Sequence, residues 1–420
     1  MSRVLSCVAV LCVLASPARA QSSLTIAQAV DEAVQHNLGL LAERSNLTVA
    51  DAAMITARLR PNPVFSFGAD HLDLLGTGFD ASNNGGPPEI AWRVDVPLER
   101  GGKREARMAL ASVVRSSAEA QLADAIRSLR QDVTLACVDR IAARATRALV
   151  AVNLRTFEDL ARVNRARLAA GSIAPFESTR SDVAMLQFRA TAVRADLDVA
   201  SASARLRTLI GRPPGDLLVV TDALSERRAS PAPDVAELVR IASDTRPDLK
   251  ALQFSQARSV ADLRLQEALG RIDYTVGAEY RRQQGIAGRG NSLGFFFSTP
   301  LPIANRNQGE IARAGAERDQ AGLQIDARRA QVVADVRSAY HEYETTRDLV
   351  ASIERDLLTP ATRARDTSAY TYKAGGTTLL ELLDAQRAFN DTMQSYVDAR
   401  ASLERAVTRL NAAVGAEVVR

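Results

Sequence analysis

Glu381 and Asp384 stand three residues apart behind a glycine-bearing turn, in the run AGGTTLLELLDAQ. That spacing puts both carboxylates on one face of a helix. Two chemistries fit: a solvated acid pair favoured by the dipole near a helix N-terminus, or, where several chains converge, a negative ring that draws cations into an aperture. Other reactive types are scattered. Gly76–Ala81 (GTGFDA) matches a loose dinucleotide fingerprint but runs into Asn-Gly-Gly-Pro-Pro rather than a helix. GGKR from Gly101 lacks the upstream Gly and the following Ser/Thr of a phosphate loop, and His341-Glu342 lacks the second His of a zinc-protease helix. His36, His71 and His341 are far apart; His71 with Asp70 and Asp73 would at most hold a stray cation at an exposed loop. Met54, Met108, Met185 and Met393 do not cluster for copper. No catalytic residue, cofactor site or resident metal site is nominated, and the expectation is that the chain is not an enzyme.

The acid pair sits in an element that is written twice. RARLAAGSIAPFESTRSD around Gly171 aligns with AYTYKAGGTTLLELLDAQ around Gly375; at the same offset Glu177 falls on Glu381 and Gly211 on Gly415. Pro97 falls on Pro302 at an offset one residue longer. The charge is not duplicated, because Glu177 and Arg180 stand where the second copy has Glu381 and Asp384. Each copy reads as helix, two strand-like runs, very long helix, glycine turn and returning helix. The expected division is a signal peptide over 1–20, a first repeat over 21–212, a linker segment over 213–243 and a second repeat over 244–420. Within the linker, 213–233 reads as loop and 234–243 as a short helix.

Between Gly102 and Leu168 no proline occurs, and Leu122, Ile126, Leu129 and Val133 alternate at four- and three-residue spacing. That is a coiled-coil seam, on a rod of roughly 100 Å at 1.5 Å per residue. Its counterpart, about Gln308 to Tyr372, carries Val332, Val336, Ala339 and Tyr343, and Pro360 should kink or loosen it. Phe176–Ile210 and Leu379–Val414 return antiparallel after turns at Ala170-Gly171-Ser172-Ile173 and Ala374-Gly375-Gly376-Thr377. Glycine there permits tight reversal and close approach by another backbone. A helical hairpin needs a flexible turn in any case, which accounts for much of the signal.

Met1–Ala20 has Arg3, an apolar run over Val4–Ala15 and an Ala-x-Ala site at Ala18–Ala20, the form of a secretory signal peptide. Cys7 and Cys12 lie inside it, leaving Cys137 in the mature chain, too few for a disulfide. No later window holds the roughly 18 apolar residues of a membrane helix. A membrane crossing would therefore use strands. Ile90, Trp92, Val94 and Val96 alternate with Ala91, Arg93, Asp95 and Pro97; Ile272, Tyr274, Val276, Ala278 and Tyr280 alternate with Asp273, Thr275, Gly277, Glu279 and Arg281; Phe65, Phe67, Phe295 and Phe297 add similar stripes. The period suits a lipid-facing barrel strand and equally the half-buried strands of a soluble sandwich. Four strands cannot close a barrel, and open edges are not tolerated in hydrocarbon, so spanning strands must be pooled among several copies. The charge balance, 53 Lys+Arg against 49 Asp+Glu, is too dilute for a nucleic-acid binder.

The two-fold layout, over essentially the whole mature chain, resembles the TolC-like outer-membrane efflux proteins. Leu98–Glu105 (LERGGKRE) and Pro300–Ile311 (PLPIANRNQGEI) resemble the heavy-metal branch, the CzcC- and CusC-like proteins, and Ala369–Phe389 is similar to the family's second periplasmic tip. The chain shows an Ala-x-Ala signal where many members of that branch carry a lipid cysteine. The resemblance implies a mainly α fold with a small membrane β-barrel portion: a homotrimer with a 12-stranded barrel, four strands per chain, continued by a long α-helical coiled-coil periplasmic tunnel. It implies an outer-membrane location extending into the periplasm, with outer-membrane lipid, a periplasmic adaptor (membrane fusion) protein and a proton-driven inner-membrane RND pump as partners. The exported substrate would be divalent heavy-metal cations; a duct for drug or type I protein secretion and a poreless periplasmic coiled-coil scaffold are the alternatives. Glu381 and Asp384 match the family's constriction acids, and with Glu177 and Arg180 would form a periplasmic gate. Gly171, Ser172, Ile173, Gly375, Gly376 and Thr377 would be the tips that meet the adaptor.

Overall fold

The computed structural model describes residues 23–72, 74–76, 78, 88–215, 218–224, 232–285 and 288–419. The expected signal peptide, Asp73 and parts of both strand-connecting tips lie outside the described residues. In chain order the elements are β1 (Ser23–Leu24), α1 (Ile26–His36), α2 (Leu38–Arg58), β2 (Val64–Asp70), β3 (Glu89–Leu98), α3 (Lys103–Ala169), α4 (Pro175–Ile210), β4 (Val219–Val220), α5 (Val235–Thr245), α6 (Pro247–Leu269), β5 (Tyr274–Gly285), β6 (Gly288–Ser298), α7 (Gln308–Ser352), a π-helical turn (Ile353–Leu357), α8 (Leu358–Lys373) and α9 (Leu379–Val414). Contacts gather them into two compact units, one of residues up to Leu41, Ile126–Leu238 and from Asp335 onward, the other of Ala42–Ala125 and Val239–Ala334.

The second unit holds an antiparallel sheet in the order β2-β3-β5-β6. Its register sets Phe67 beside Trp92 and Trp92 beside Tyr280, then Val94 beside Ala278, and Ala278 beside Phe295. One face is thus a continuous apolar and aromatic stripe. Trp92 stacks on Tyr280 with ring centroids 5.7 Å apart, and Phe67 lies 6.0 Å from Trp92. The alternate positions put Ser66, Arg93, Asp95, Glu279 and Arg281 on the other face. Pro97 sits beyond the last pairing of β3 with β2, where its missing N–H costs no ladder bond on that side. No described helix is long and apolar enough to cross a membrane.

Both strand-to-helix joints in this unit are built from the motifs singled out in the sequence. After β3, the positive φ of Gly101 and Gly102 (75° and 73°) turns the chain, and a Cβ at Gly101 would collide with Arg271. Lys103 Nζ donates to Asp273 at 2.6 Å, the Arg100 amide donates to the same carboxylate at 2.9 Å, and Arg107 pairs with Glu99. After β6, Asn307 takes φ 65° and its amide nitrogen donates to the Gln266 carbonyl at 2.8 Å. Further along, Asp248 is buried between two guanidiniums, Arg246 at 2.7 Å and Arg328. Burial alone would raise its pKa, but hydrogen bonds from both arginines hold it well below the usual carboxylate range.

In the first unit α3, α4 and α9 carry the core. Val133, Cys137, Leu206, Ile210, Leu410 and Val414 are fully buried, each large apolar side chain contributing about 1.5–3 kcal/mol. The seam expected on α7 is observed, with Val332, Val336, Ala339 and Tyr343 all buried. Burial pushes the Cys137 thiol up to about 12, Asp222 adding to it, so the sulfur stays protonated and inert. Asp139 accepts from Arg405 of α9 at 2.8 Å and faces Arg205 of α4 at 3.5 Å, tying one hairpin to the other.

Two readings of the sequence change and a third is sharpened. The first copy opens with two helices rather than one, whereas α5 falls where the short helix over 234–243 is expected. Asn37 ends α1 in an extended conformation and its side chain accepts from the Leu40 amide at 2.9 Å; Arg246, also extended with ψ 122° but with no side-chain cap bond, separates α5 from α6 ahead of Pro247. The run 213–233 is not all loop, because Val219 and Val220 pair in parallel with Ser23 and Leu24. The irregularity expected from Pro360 is a π-helical turn ahead of it, where the Leu358 N–H reaches back to the Ile353 carbonyl. Proline's ring would strike the carbonyl four residues earlier, and the widened turn relieves it. Glu354 in that turn accepts from Tyr396 at 2.8 Å and from Arg400 at 3.0 Å, so α9 braces it.

Candidate functional site

The hairpin tips close with one backbone device. Gly171 and Gly375 have φ 71° and 77°. The amide of the next residue reaches back across the turn, Ser172 to the Arg167 carbonyl and Gly376 to the Thr371 carbonyl, each at 2.8 Å. This is the left-handed helix stop that glycine adopts without steric cost. A Cβ at either glycine would meet nothing within 4 Å. Within the chain, then, the conformation of the turn demands glycine, and the close backbone approach expected from the sequence has no intrachain counterpart. Gly211 and Gly415, the other aligned pair, stop α4 and α9 in the same left-handed form, with φ 75° and 77°.

Beyond the turns the copies diverge. α9 starts with a capping box: Thr378 Oγ1 accepts from the Glu381 amide at 3.3 Å, and the Glu381 carboxylate accepts from the Thr378 amide at 3.0 Å and from the Thr377 hydroxyl. The Thr377 hydroxyl, with the Thr378 amide behind it, holds the Glu381 carboxyl below its ordinary pKa. Asp384 is exposed on the same helix face and has no partner among the described residues. In the first tip α4 starts on Pro175 with Ala174 as a cap that makes no side-chain bond. Glu177 and Arg180 lie half-buried in its first turns and do not pair with each other. Of the four expected gate residues, therefore, one is committed to its own helix start, one is a free carboxylate, and two stand apart on the first tip. Ser172, Gly376 and the two glycine stops are exposed; Ile173 and Thr377 are half-buried.

A small apolar core joins the two tips. Phe157 of α3 stacks on Phe188 of α4 at 4.4 Å, and Tyr372, Leu379, Leu382 and Leu383 pack with them. Tyr372 donates its hydroxyl to Asn164 Oδ1 at 2.8 Å, while the buried Asn164 Nδ2 has no partner. Beside this core a cleft of about 410 Å³ runs between α3 and the second hairpin. Phe157, Leu160, Tyr372, Leu382 and Leu383 line it, together with the charged Asp159, Arg162 and Lys373.

α4 carries a second seam that the sequence reading missed. Val183, Leu186, Val193 and Leu197 recur at three-, seven- and four-residue spacing and are 49–64% exposed, while Ala184, Val199 and Leu206 on another face are buried. The three-four rhythm was legible, but only burial separates a seam already packed from one left open. Among the described residues no three His, Cys, Asp or Glu converge on a metal-sized site.

Comparison with known proteins places this architecture. The sequence model described as Outer membrane efflux protein matches residues 29–212 and 238–416. The chain is 24% identical to the cobalt-zinc-cadmium resistance protein CzcC of Cupriavidus metallidurans over 399 residues, 95% of this chain and 92% of that protein. Among solved structures, the CmeC outer membrane channel of Campylobacter jejuni superposes with a TM-score of 0.77 at 12% identity, over 94% of this chain and 86% of that one. CusC, a transmembrane channel, superposes with a TM-score of 0.76 at 16% identity, over 94% and 92%. The chain therefore has the TolC-like channel fold and belongs to the outer membrane efflux protein family, whose members form channels that sit in the outer membrane and extend into the periplasm.

Proposed function

We propose that this protein is the exit duct of a tripartite efflux system, working as a homotrimer that carries divalent heavy-metal cations out of the cell. The observation that carries the reading is the sheet. Its aromatic face suits lipid, yet among the described residues β2 and β6 each leave one edge unpaired, which hydrocarbon does not tolerate. Two further copies, each adding four strands, give a closed barrel of about twelve, within the range of outer-membrane barrels. The open seam on α4 supports the same assembly, since it offers neighbouring copies a coiled-coil face.

In this reading 1–20 is removed on export, 21–212 and 244–420 are the two repeats, and 213–243 links them. Gly171, Ser172, Ile173, Gly375, Gly376 and Thr377 form the surface for a periplasmic adaptor, with the neighbouring cleft accepting its apolar side chains; an inner-membrane RND pump drives transport. Asp384 from three chains supplies the negative ring of the aperture. Glu381 fixes the helix start beneath it, and Glu177 with Arg180 faces a neighbouring tip. Likeness to CzcC supports divalent metals as cargo, and no residue is assigned to catalysis.

Deleting the gene should sensitise cells to cobalt, zinc or cadmium, and the protein should fractionate with the outer membrane and migrate as a trimer. A protein that stays in the periplasm as a soluble monomer would be a scaffold and would end the channel reading. Unchanged metal tolerance with increased drug sensitivity would reassign the cargo.

A further inference from the structure

The face of the sheet turned away from the aromatic stripe carries six charged residues among the described positions, Asp70, Glu89, Arg93, Asp95, Glu279 and Arg281. If the stripe meets lipid, these face the water of the pore. Neither arginine is free. Arg93 Nε lies 2.8 Å and 3.0 Å from the two Asp95 oxygens, its Nη2 lies 2.9 Å from Oδ1, and its guanidinium sits 4.0 Å from the Phe296 ring centroid. Arg281 is held by Glu279 at 2.9 Å and by Glu89 at 2.8 Å. The backbone makes room for this arrangement. Gly277 stands opposite Asp95, and a Cβ there would collide with the Asp95 carboxylate. Asp70, by contrast, is exposed.

We propose that Asp95 and Glu279 are specificity-determining residues of the channel. Asp95 cancels Arg93, which would otherwise present a fixed positive charge to the pore, Glu279 shares Arg281 with Glu89, and together they keep the barrel wall passable to cations. Chemically, a guanidinium cannot lose its proton at any working pH, so only a fixed carboxylate beside it can neutralise it. In a narrow pore of low-dielectric walls an uncancelled charge acts strongly on each passing ion. With both arginines paired, the carboxylates left over set the sign of the wall.

The inference rests on the channel reading, and the test separates the two. Purified full-length protein is placed in planar bilayers under a potassium chloride gradient, in an Asp384→Asn background so that the tip does not mask the barrel. The zero-current potential then gives the cation-to-anion permeability ratio. Asp95→Asn and Glu279→Gln should each lower that ratio by about threefold, the scale of a one-unit change in the charge of the pore wall. The Arg93→Gln, Asp95→Asn double variant should restore it. Gly277→Ala, which touches no charge but displaces the Asp95 carboxylate, should lower it in the same direction and serves if the first variants assemble poorly. Conducting variants with an unchanged ratio overturn the proposal while leaving the channel standing. Parent trimers that insert but pass no current overturn the channel reading, and the proposal with it.

Discussion

The two hairpin tips have the same backbone and different chemistry. Gly171 and Gly375 stop their helices with matching left-handed turns, yet one returning helix starts on a proline with a bare alanine cap and the other on a reciprocal threonine-glutamate box. Duplication has preserved what the turn requires sterically and released what the surface does electrostatically. The acid that looks most gate-like in sequence, Glu381, is the one tied down; the freer one is its neighbour a turn on.

That contrast can be broken in graded ways. The largest effect is expected from valine at Gly171 and Gly375, since a β-branched side chain is strained at positive φ. Metal export should be abolished while trimers remain in the membrane; wild-type tolerance would show that the tips make no critical contact. Next, Tyr372→Phe removes the hydroxyl that Asn164 accepts, leaving a buried amide with neither end satisfied. A loss of about 1–3 kcal/mol is expected, read as a lower midpoint in thermal or denaturant unfolding, and an unchanged midpoint would mean that water takes the hydroxyl's place.

Smaller still, Asp384→Asn should lower cation selectivity by about twofold in bilayers, whereas Glu177→Gln on the first tip should alter it less. Equal effects would erase the asymmetry. The finest distinction is pH dependence. The Glu381 carboxyl is depressed in the folded state, so its capping contribution is complete above the ordinary Glu value of about 4.3. It fades as pH falls through the lower folded value. Hydrogen exchange at the second tip should quicken over that acid range, and Glu381→Gln, which cannot titrate, should abolish the dependence. The first tip has no capping carboxylate and should show no such step.

Much of this was legible in the chain itself, for identifiable reasons. Long helices announce themselves through seams such as Val332–Val336–Ala339–Tyr343, and barrel strands through alternation that the observed register keeps on one face. The glycine pairs marked the repeat because a left-handed stop admits few other residues. What stayed hidden depends on partners distant in sequence. LERGGKRE reads as a family signature, but its role as a joint needs Asp273 and Arg271. Nothing local distinguishes the packed seam of α4 from the open one. The α1–α2 break rests on Asn37, whose side-chain nitrogen donates to the Leu209 carbonyl far along the chain.

The π-helical turn has one more consequence. Before it, buried or half-buried positions run through Tyr343, Thr346, Val350 and Ile353; after it they resume at Leu358, Ala361, Arg365, Ser368 and Tyr372, each one place later than uninterrupted counting would put them. A single supernumerary residue, worth about 100° of rotation, has been absorbed without disturbing either flank. The second rod therefore tolerates a frameshift in its own periodicity that the unbroken first rod nowhere shows. Excising one residue from Ile353–Leu357 would return the rod to strict phase and leave both flanks, and the tip beyond them, facing as they do now.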